Sequence, residues 1–175
     1  SSGNILGNES AVQPKTWALT FDDGPHATYS RQVVANLAKY GLKATFFELV
    51  SAMNAYPTIS LEIRDAGHEM ASHSWNHPQL PKLGPAGLRH QIVEAIAAQS
   101  KLWDRPVKFF RNPYGAGSSN GTASRKMEAA AGLMHVLWNV DTLDWKDRNA
   151  TSVYNRARRQ MTSHGKGVIL FHDIH

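Results

Sequence analysis

An α/β fold on a parallel sheet is what this 175-residue sequence predicts, on three observations. Strand-length apolar runs alternate with segments of helical period, Gly or Pro stands at most boundaries between them, and five of the six runs give way directly to Asp, His or Arg. Strict alternation implies parallel pairing through right-handed crossovers, which leaves an open doubly wound sheet or a closed βα barrel. Periodicity alone does not choose between them. In either architecture function gathers where the strands end at their carboxyl edge.

Residues 1–13 are polar, rich in Gly, Asn and Ser and without a period; they are expected to form a leader or a short flanking strand, with the domain proper over 14–175. The first strand is expected at 17–21. Helix 30–40 follows, with Val33, Val34, Leu37 and Ala38 on one face and Gly41 as its stop. The same grammar gives strand 44–49, helix 57–66 stopped by Gly67, strand 68–72, and helix 85–102 with Leu88, Ile92 and Ile96 aligned. It continues with strand 107–111, helix 122–131 stopped by Gly132, strand 134–140, helix 152–162 and strand 167–171. No internal repeat and no second domain is visible.

Composition narrows the function. With 42% hydrophobic and 19% charged residues the chain can build one core, burying roughly 70% of its extended surface. No apolar run approaches the roughly 20 residues of a membrane-crossing helix. There is no Cys, so a disulfide scaffold, a thiolate zinc cluster and a thiol nucleophile are all excluded, and any metal must be held by carboxylates and the nine His. A net charge of +5 mildly favours an anionic partner such as a cell-wall polymer. Arg156, Arg158 and Arg159 share a predicted helix and read as a solvated outer face; no basic surface interleaved with aromatics suggests nucleic acid.

Five strand ends carry the chemistry. Thr20-Phe21-Asp22-Asp23-Gly24-Pro25 places two carboxylates at a turn, and consecutive side chains of an extended strand leave in opposite directions, so Asp22 and Asp23 are expected to do different jobs. His73-Ser74-Trp75-Asn76-His77 offers two imidazoles at a spacing that suits one metal ion, with Pro78 biasing His77 towards a loop or single turn. In Arg111-Asn112-Pro113-Tyr114-Gly115 the Arg can orient a carboxylate, and the backbone after Pro113 can aim an N–H into a site. Asp141-Thr142-Leu143-Asp144-Trp145 and Leu170-Phe171-His172-Asp173 close the set, with period 2 putting Leu170 and His172 on one face. Each segment alone could be a cap or a surface network. Together, at five strand ends, they indicate one site.

In this order, over residues 16–173, the five segments resemble the motifs of the polysaccharide deacetylases with a NodB homology domain, carbohydrate esterase family 4. The resemblance implies a distorted (β/α) barrel, a divalent metal, usually Zn2+, and hydrolysis of acetyl groups on a polysaccharide. By the same resemblance the metal ligands are Asp23, His73 and His77, and Asp22 is the base, held by Arg111. His172 is then the acid, oriented by Asp144 or by Asp141, and the Tyr114 backbone N–H meets the oxyanion. Leu170, Trp145, Pro113 and Asp141 are expected around the substrate pocket, with Tyr114 and Trp75 as further candidates for sugar stacking and His26 and His175 as neighbours. His68, His90, His135 and His164 are expected to be structural or solvent-facing.

The expected substrate is the N-acetylglucosamine of a wall polymer, foremost peptidoglycan. Chitooligosaccharides, acetylxylan or a silent carbohydrate-binding role are the alternatives. A monomer in the periplasm, at the cell envelope or secreted fits this reading. Two departures from the family stand out: it usually has another βα unit beyond the fifth motif, so a barrel lacking or truncated before its last unit is expected, and Asn112 replaces a more usual Pro.

Overall fold

The structure, a computed structural model, describes residues 5–6 and 13–174. In chain order its elements are β1 (Ile5–Leu6), β2 (Trp17–Asp22), α1 (Tyr29–Lys39), β3 (Thr45–Glu48), α2 (Val50–Ala55), α3 (Pro57–Asp65), β4 (Glu69–Ser72), α4 (Pro85–Arg89), a π-turn, α5 (Ala95–Trp103), β5 (Phe109–Phe110), α6 (Ala123–Ala130), β6 (Met134–Val136), β7 (Val140–Asp141), α7 (Ala150–His164) and β8 (Gly167–His172). All strands pair in parallel, in the order β1-β6-β5-β4-β3-β2-β8-β7. Among the described residues no helix is long and apolar enough to cross a membrane.

The sheet has to curl. β6 and β7 lie towards opposite ends of the strand order, yet only Leu137, Trp138 and Asn139 join them, and an extended chain spans at most about 3.6 Å per residue. The result is an incomplete distorted (β/α) barrel with helices outside, as the NodB resemblance implies. Arg111 shows the closure directly. Leaving the end of β5, it reaches Thr20 Oγ1 on β2 at 2.9 Å and the Leu137 carbonyl beyond β6 at 3.1 Å, from inside the barrel.

Period 2 then sorts the side chains. Thr20, Asp22, Phe47, Ala71, Leu170 and His172 share the inner face through the registers Asp22↔Phe47, Phe47↔Ala71, Thr20↔Leu170 and Asp22↔His172. Phe21, Phe46 and Phe171 point outward and stack at 5.2 and 5.5 Å. Beneath the helices the main core includes Phe46, Val50, Met53, Ile63, Met70, Leu80, Ile92, Trp103 and Phe110, all at most 2% exposed.

The differences from the predicted elements have local causes. The expected strand 134–140 is two strands, because 134–136 pair with β5 and β1 while 140–141 pair with β8. Helix α2 is six residues long, too short to show a period. Within the 1–13 leader, Ile5 and Leu6 pair with His135 and Val136, so the flanking-strand alternative describes that pair.

Candidate functional site

The inner carboxyl ends of the strands surround a cavity of about 530 Å³ lined by Asp22, Asp23, His73, His77, Tyr114, Trp138, Asp141, Trp145, Leu170, His172 and Ile174. Seven described residues other than Gly have positive φ, and five of them, Asp23, Ser74, His77, Tyr114 and Leu143, lie in the segments that form this site. A left-handed backbone is costly for an ordinary residue and survives where the surrounding packing imposes it. At Asp23 (φ 76°) it turns the side chain out of strand alternation, so both neighbouring carboxylates line the one cavity rather than opposite faces.

Asp22 is 2% exposed and takes Arg111 Nη1 on Oδ1 at 2.7 Å. Arg111 is fully buried. Besides Asp22 it donates to Thr20 Oγ1 and to the Leu137 and Val136 carbonyls, and it lies over the Phe47 ring at 4.2 Å. A guanidinium held at so many points fixes the Asp22 carboxylate in one orientation. Thr20 supports it from below by donating to the Ile169 carbonyl at 2.7 Å.

Asp23, His73 and His77 converge. Both imidazole Nε2 atoms lie 3.3 Å from Asp23 Oδ1, and the three ligand atoms are all within 4.8 Å of one another. His73 Nδ1 is 2.7 Å from the Arg111 carbonyl, so in the neutral ring the proton sits there and the Nε2 lone pair faces the carboxylate. Burial pushes the Asp23 carboxyl up, but its two histidines outweigh that and hold it well below the usual carboxylate range. Burial likewise lowers His73, while Asp22, Asp23 and the Arg111 carbonyl together raise it. Asp23 Oδ1 is buried, and among the described residues only these two imidazoles approach it, without well-formed hydrogen bonds. A buried carboxylate oxygen between two imidazoles needs positive charge beside it, supplied either by protonated rings or by a cation that neutral rings hold, and an N₂O set of imidazoles and carboxylate suits a divalent transition metal. These residues therefore fit the metal that the resemblance implies.

Across the cavity, His172 is bonded to Asp144 twice, its backbone N–H donating to Oδ2 at 2.6 Å and Nδ1 lying 2.7 Å from Oδ1. Burial lowers the imidazole, but Asp144, Asp22 and Asp23 outweigh it and the group is raised to about 9. Of the two carboxylates left open by the sequence, Asp144 is the one in contact. Asp141 instead accepts the Leu143 N–H on Oδ1 at 3.0 Å while also lining the cavity. Behind the site Asp173, 1% exposed, accepts from Ser30 Oγ at 2.5 Å, and burial with the nearby Asp22 and Asp23 raises it to about 7.

The rim is aromatic. Tyr114 is 64% exposed with its ring edge-on to His77 at 4.5 Å, and Trp145 is 53% exposed. Leu170, Trp145, Tyr114 and Asp141 all line the cavity. Pro113 does not: it is buried behind Tyr114 in the 113–115 turn. Trp75 is stacked on His90 at 4.4 Å rather than standing in the cavity. His26 caps the start of α1, its Nδ1 accepting from the Thr28 and Tyr29 N–H groups, and His175 lies outside the described residues. His68 and His135 are buried, the one accepting the Ala44 N–H and the other paired with Glu128. Trp138 and Ile174 line the cavity without having been singled out by the sequence. Trp138 lies inside the expected strand 134–140 but in the three-residue link between β6 and β7, so strand alternation does not give its direction.

Residues 9–135 match the model of the family described as polysaccharide deacetylase. The chain is 36% identical over 97% of its length to the peptidoglycan-N-acetylmuramic acid deacetylase PdaC of Bacillus subtilis, and 31% identical over 98% of its length to a chitooligosaccharide deacetylase of Azorhizobium caulinodans. It spans 35% of the former and 78% of the latter. It covers only about a third of PdaC and of a Listeria monocytogenes peptidoglycan-N-acetylglucosamine deacetylase alike. Among solved structures, a peptidoglycan N-acetylglucosamine deacetylase superposes with TM-score 0.86 at 30% identity, over 99% of this chain and 77% of that one.

Proposed function

The chain belongs to the polysaccharide deacetylase family, and from that premise we propose that it is a metal-dependent hydrolase removing acetyl from the N-acetylglucosamine units of a cell-wall polysaccharide, foremost peptidoglycan. The observation that carries the reading is the pairing of Asp22 with Arg111 on one side of the Asp23, His73, His77 cluster and of His172 with Asp144 on the other. Asp23, His73 and His77 would hold the divalent cation, Zn2+ being the best fit to the donor set. When bound, such an ion supplies Lewis-acid polarisation and an acidified water.

Asp22, aligned by Arg111, takes the proton from the attacking water as its oxygen bonds to the acetyl carbon. The Tyr114 N–H, in its left-handed turn, meets the charge that develops on the carbonyl oxygen. An amide nitrogen leaves poorly as an anion. His172, its Nδ1 engaged by Asp144, gives a proton from Nε2 to that nitrogen as the C–N bond breaks, so the products are acetate and a free amine. Leu170, Trp138 and Trp145 wall the space for the acetyl methyl, and Tyr114 with Trp145 offers sugar-facing rings at the rim. A wall glycan as substrate fits a protein that acts in the periplasm, at the envelope or outside the cell, and we take it to act there as a monomer.

Acetate release tests this. With Zn2+ loaded, the protein is expected to free acetate from peptidoglycan and from chitooligosaccharides, to stop with chelator and to recover with Zn2+. Acetate from acetylxylan alone would move the reading to an esterase. No acetate from any of the three, in a folded Zn2+-bound protein, would leave a carbohydrate-binding domain.

A further inference from the structure

Helix α7 was expected to present its arginines to water, yet Arg156 turns inward and is 24% exposed. Its Nη1 donates to the Thr142 carbonyl at 2.5 Å and its Nη2 to Asp147 Oδ2 at 2.9 Å. One turn further along, Gln160 takes both backbone groups of Asp141: Nε2 donates to the carbonyl at 2.7 Å and Oε1 accepts from the N–H at 2.9 Å. That second pair covers the outer edge of β7 at Asp141, a position otherwise open to pairing with another strand.

Between these anchors the chain makes an unfavourable turn. Leu143 is left-handed at φ 53°, its N–H is tied to Asp141 Oδ1, and its carbonyl accepts both the Lys146 and the Asp147 N–H at 3.0 and 2.9 Å. A branched apolar residue gains nothing from this conformation by itself, so the turn must be imposed from outside. Its effect is to bring Asp144 round so that both carboxylate oxygens meet His172. Arg156 grips the turn on both sides of Asp144, at residues 142 and 147, the two Nη groups of its planar fork serving a carbonyl and a carboxylate from fixed directions.

We propose that Arg156, seconded by Gln160, is a positioning residue for proton transfer: from the back of α7 it fixes the Thr142–Asp147 turn that delivers Asp144 to His172. This rests on the reading of His172 as the acid of the proposed reaction. Arg156→Gln is expected to lower kcat on an N-acetyl chitooligosaccharide about tenfold with KM changed less than about twofold. Hydrolysis of 4-nitrophenyl acetate, whose leaving group needs no proton, should stay within about threefold. Arg156→Lys keeps the charge but loses the rigid fork, so it should recover part of the amide activity.

A readout without turnover accompanies these assays: the proton resonance of the His172 Nδ1–H, assigned by its change in Asp144→Asn, should weaken or shift in Arg156→Gln. An unaltered resonance overturns the proposal. So does a parallel loss on both substrates that tracks a lower Tm, the mark of a merely structural residue. If the parent protein frees no acetate, the function proposed above fails, while the resonance still decides whether Arg156 sets the Asp144–His172 contact.

Discussion

Replacing Glu48 by Gln should make the protein's stability less sensitive to pH, and the size of the effect follows from the packing. Glu48 ends β3 facing the helices, 1% exposed, and its Oε2 accepts from Ser60 Oγ at 2.6 Å. That hydroxyl is itself held by Trp103 Nε1 at 2.7 Å, and among the described residues no cation pairs with the carboxyl. Its Oε1 is buried without a hydrogen-bond partner among the described residues. Burial therefore dominates over the Ser60 hydrogen bond, and with a small push from Asp173 it raises the group to about 8. The folded state then keeps a proton that the unfolded chain loses near pH 4.5. Stability is fully present below that value and drains away as pH rises towards 8, by about 1.4 kcal/mol per unit and about 5 kcal/mol over the window at most. That is a large part of the 5–15 kcal/mol typical of a domain.

Gln at this position carries no such dependence and still offers Ser60 an acceptor. In urea titrations at pH 5, 6, 7 and 8, the stability of Glu48→Gln relative to the parent should rise steadily with pH. The difference cancels the other titrating groups, Asp173 among them, to first order. A difference that stays flat from pH 5 to 8 would mean that the carboxyl is ionised throughout, and would refute the burial argument. The consequence reaches the site, because the Glu48 carbonyl accepts the His73 N–H at 2.9 Å and so seats one of the proposed metal ligands.

Three further outcomes are expected. Asp22→Asn should cut acetate release by at least about 10²-fold while the protein still retains Zn2+ by elemental analysis; loss of the metal would mean that Asp22 and Asp23 have each other's roles. His172→Ala should reduce turnover of N-acetyl glycans about 10²-fold or more but leave 4-nitrophenyl acetate within about tenfold, and equal losses would count against His172 as the acid. Gly24→Ala should lower stability by about 1–3 kcal/mol in thermal denaturation, because a Cβ there would collide with the buried Asp173 carboxylate; an unchanged Tm would show that this carboxylate is free to move away.

The alternation of apolar runs with helical segments determined the parallel sheet, since period and punctuation are local properties that each stretch of chain carries by itself. Period 2 likewise put Leu170 and His172 on one face, and the polar strand ends located the site. Tertiary structure alone decided what depends on residues far apart in sequence. Arg111 crosses the barrel to Asp22 only because β6 and β7 are joined by three residues and the sheet curls. The expected strand 134–140 breaks in two for the same reason, which carries Trp138 into the cavity wall. Asp144 rather than Asp141 meets His172 because Leu143 is forced left-handed, and Asp23 joins Asp22 in one cavity because its own φ is positive. Asp tolerates a positive φ better than most residues, but no propensity encodes it at Leu143, and neither position announces it in the sequence. These conformations exist because distant side chains, such as Arg156 on α7, hold the backbone where local preference would not.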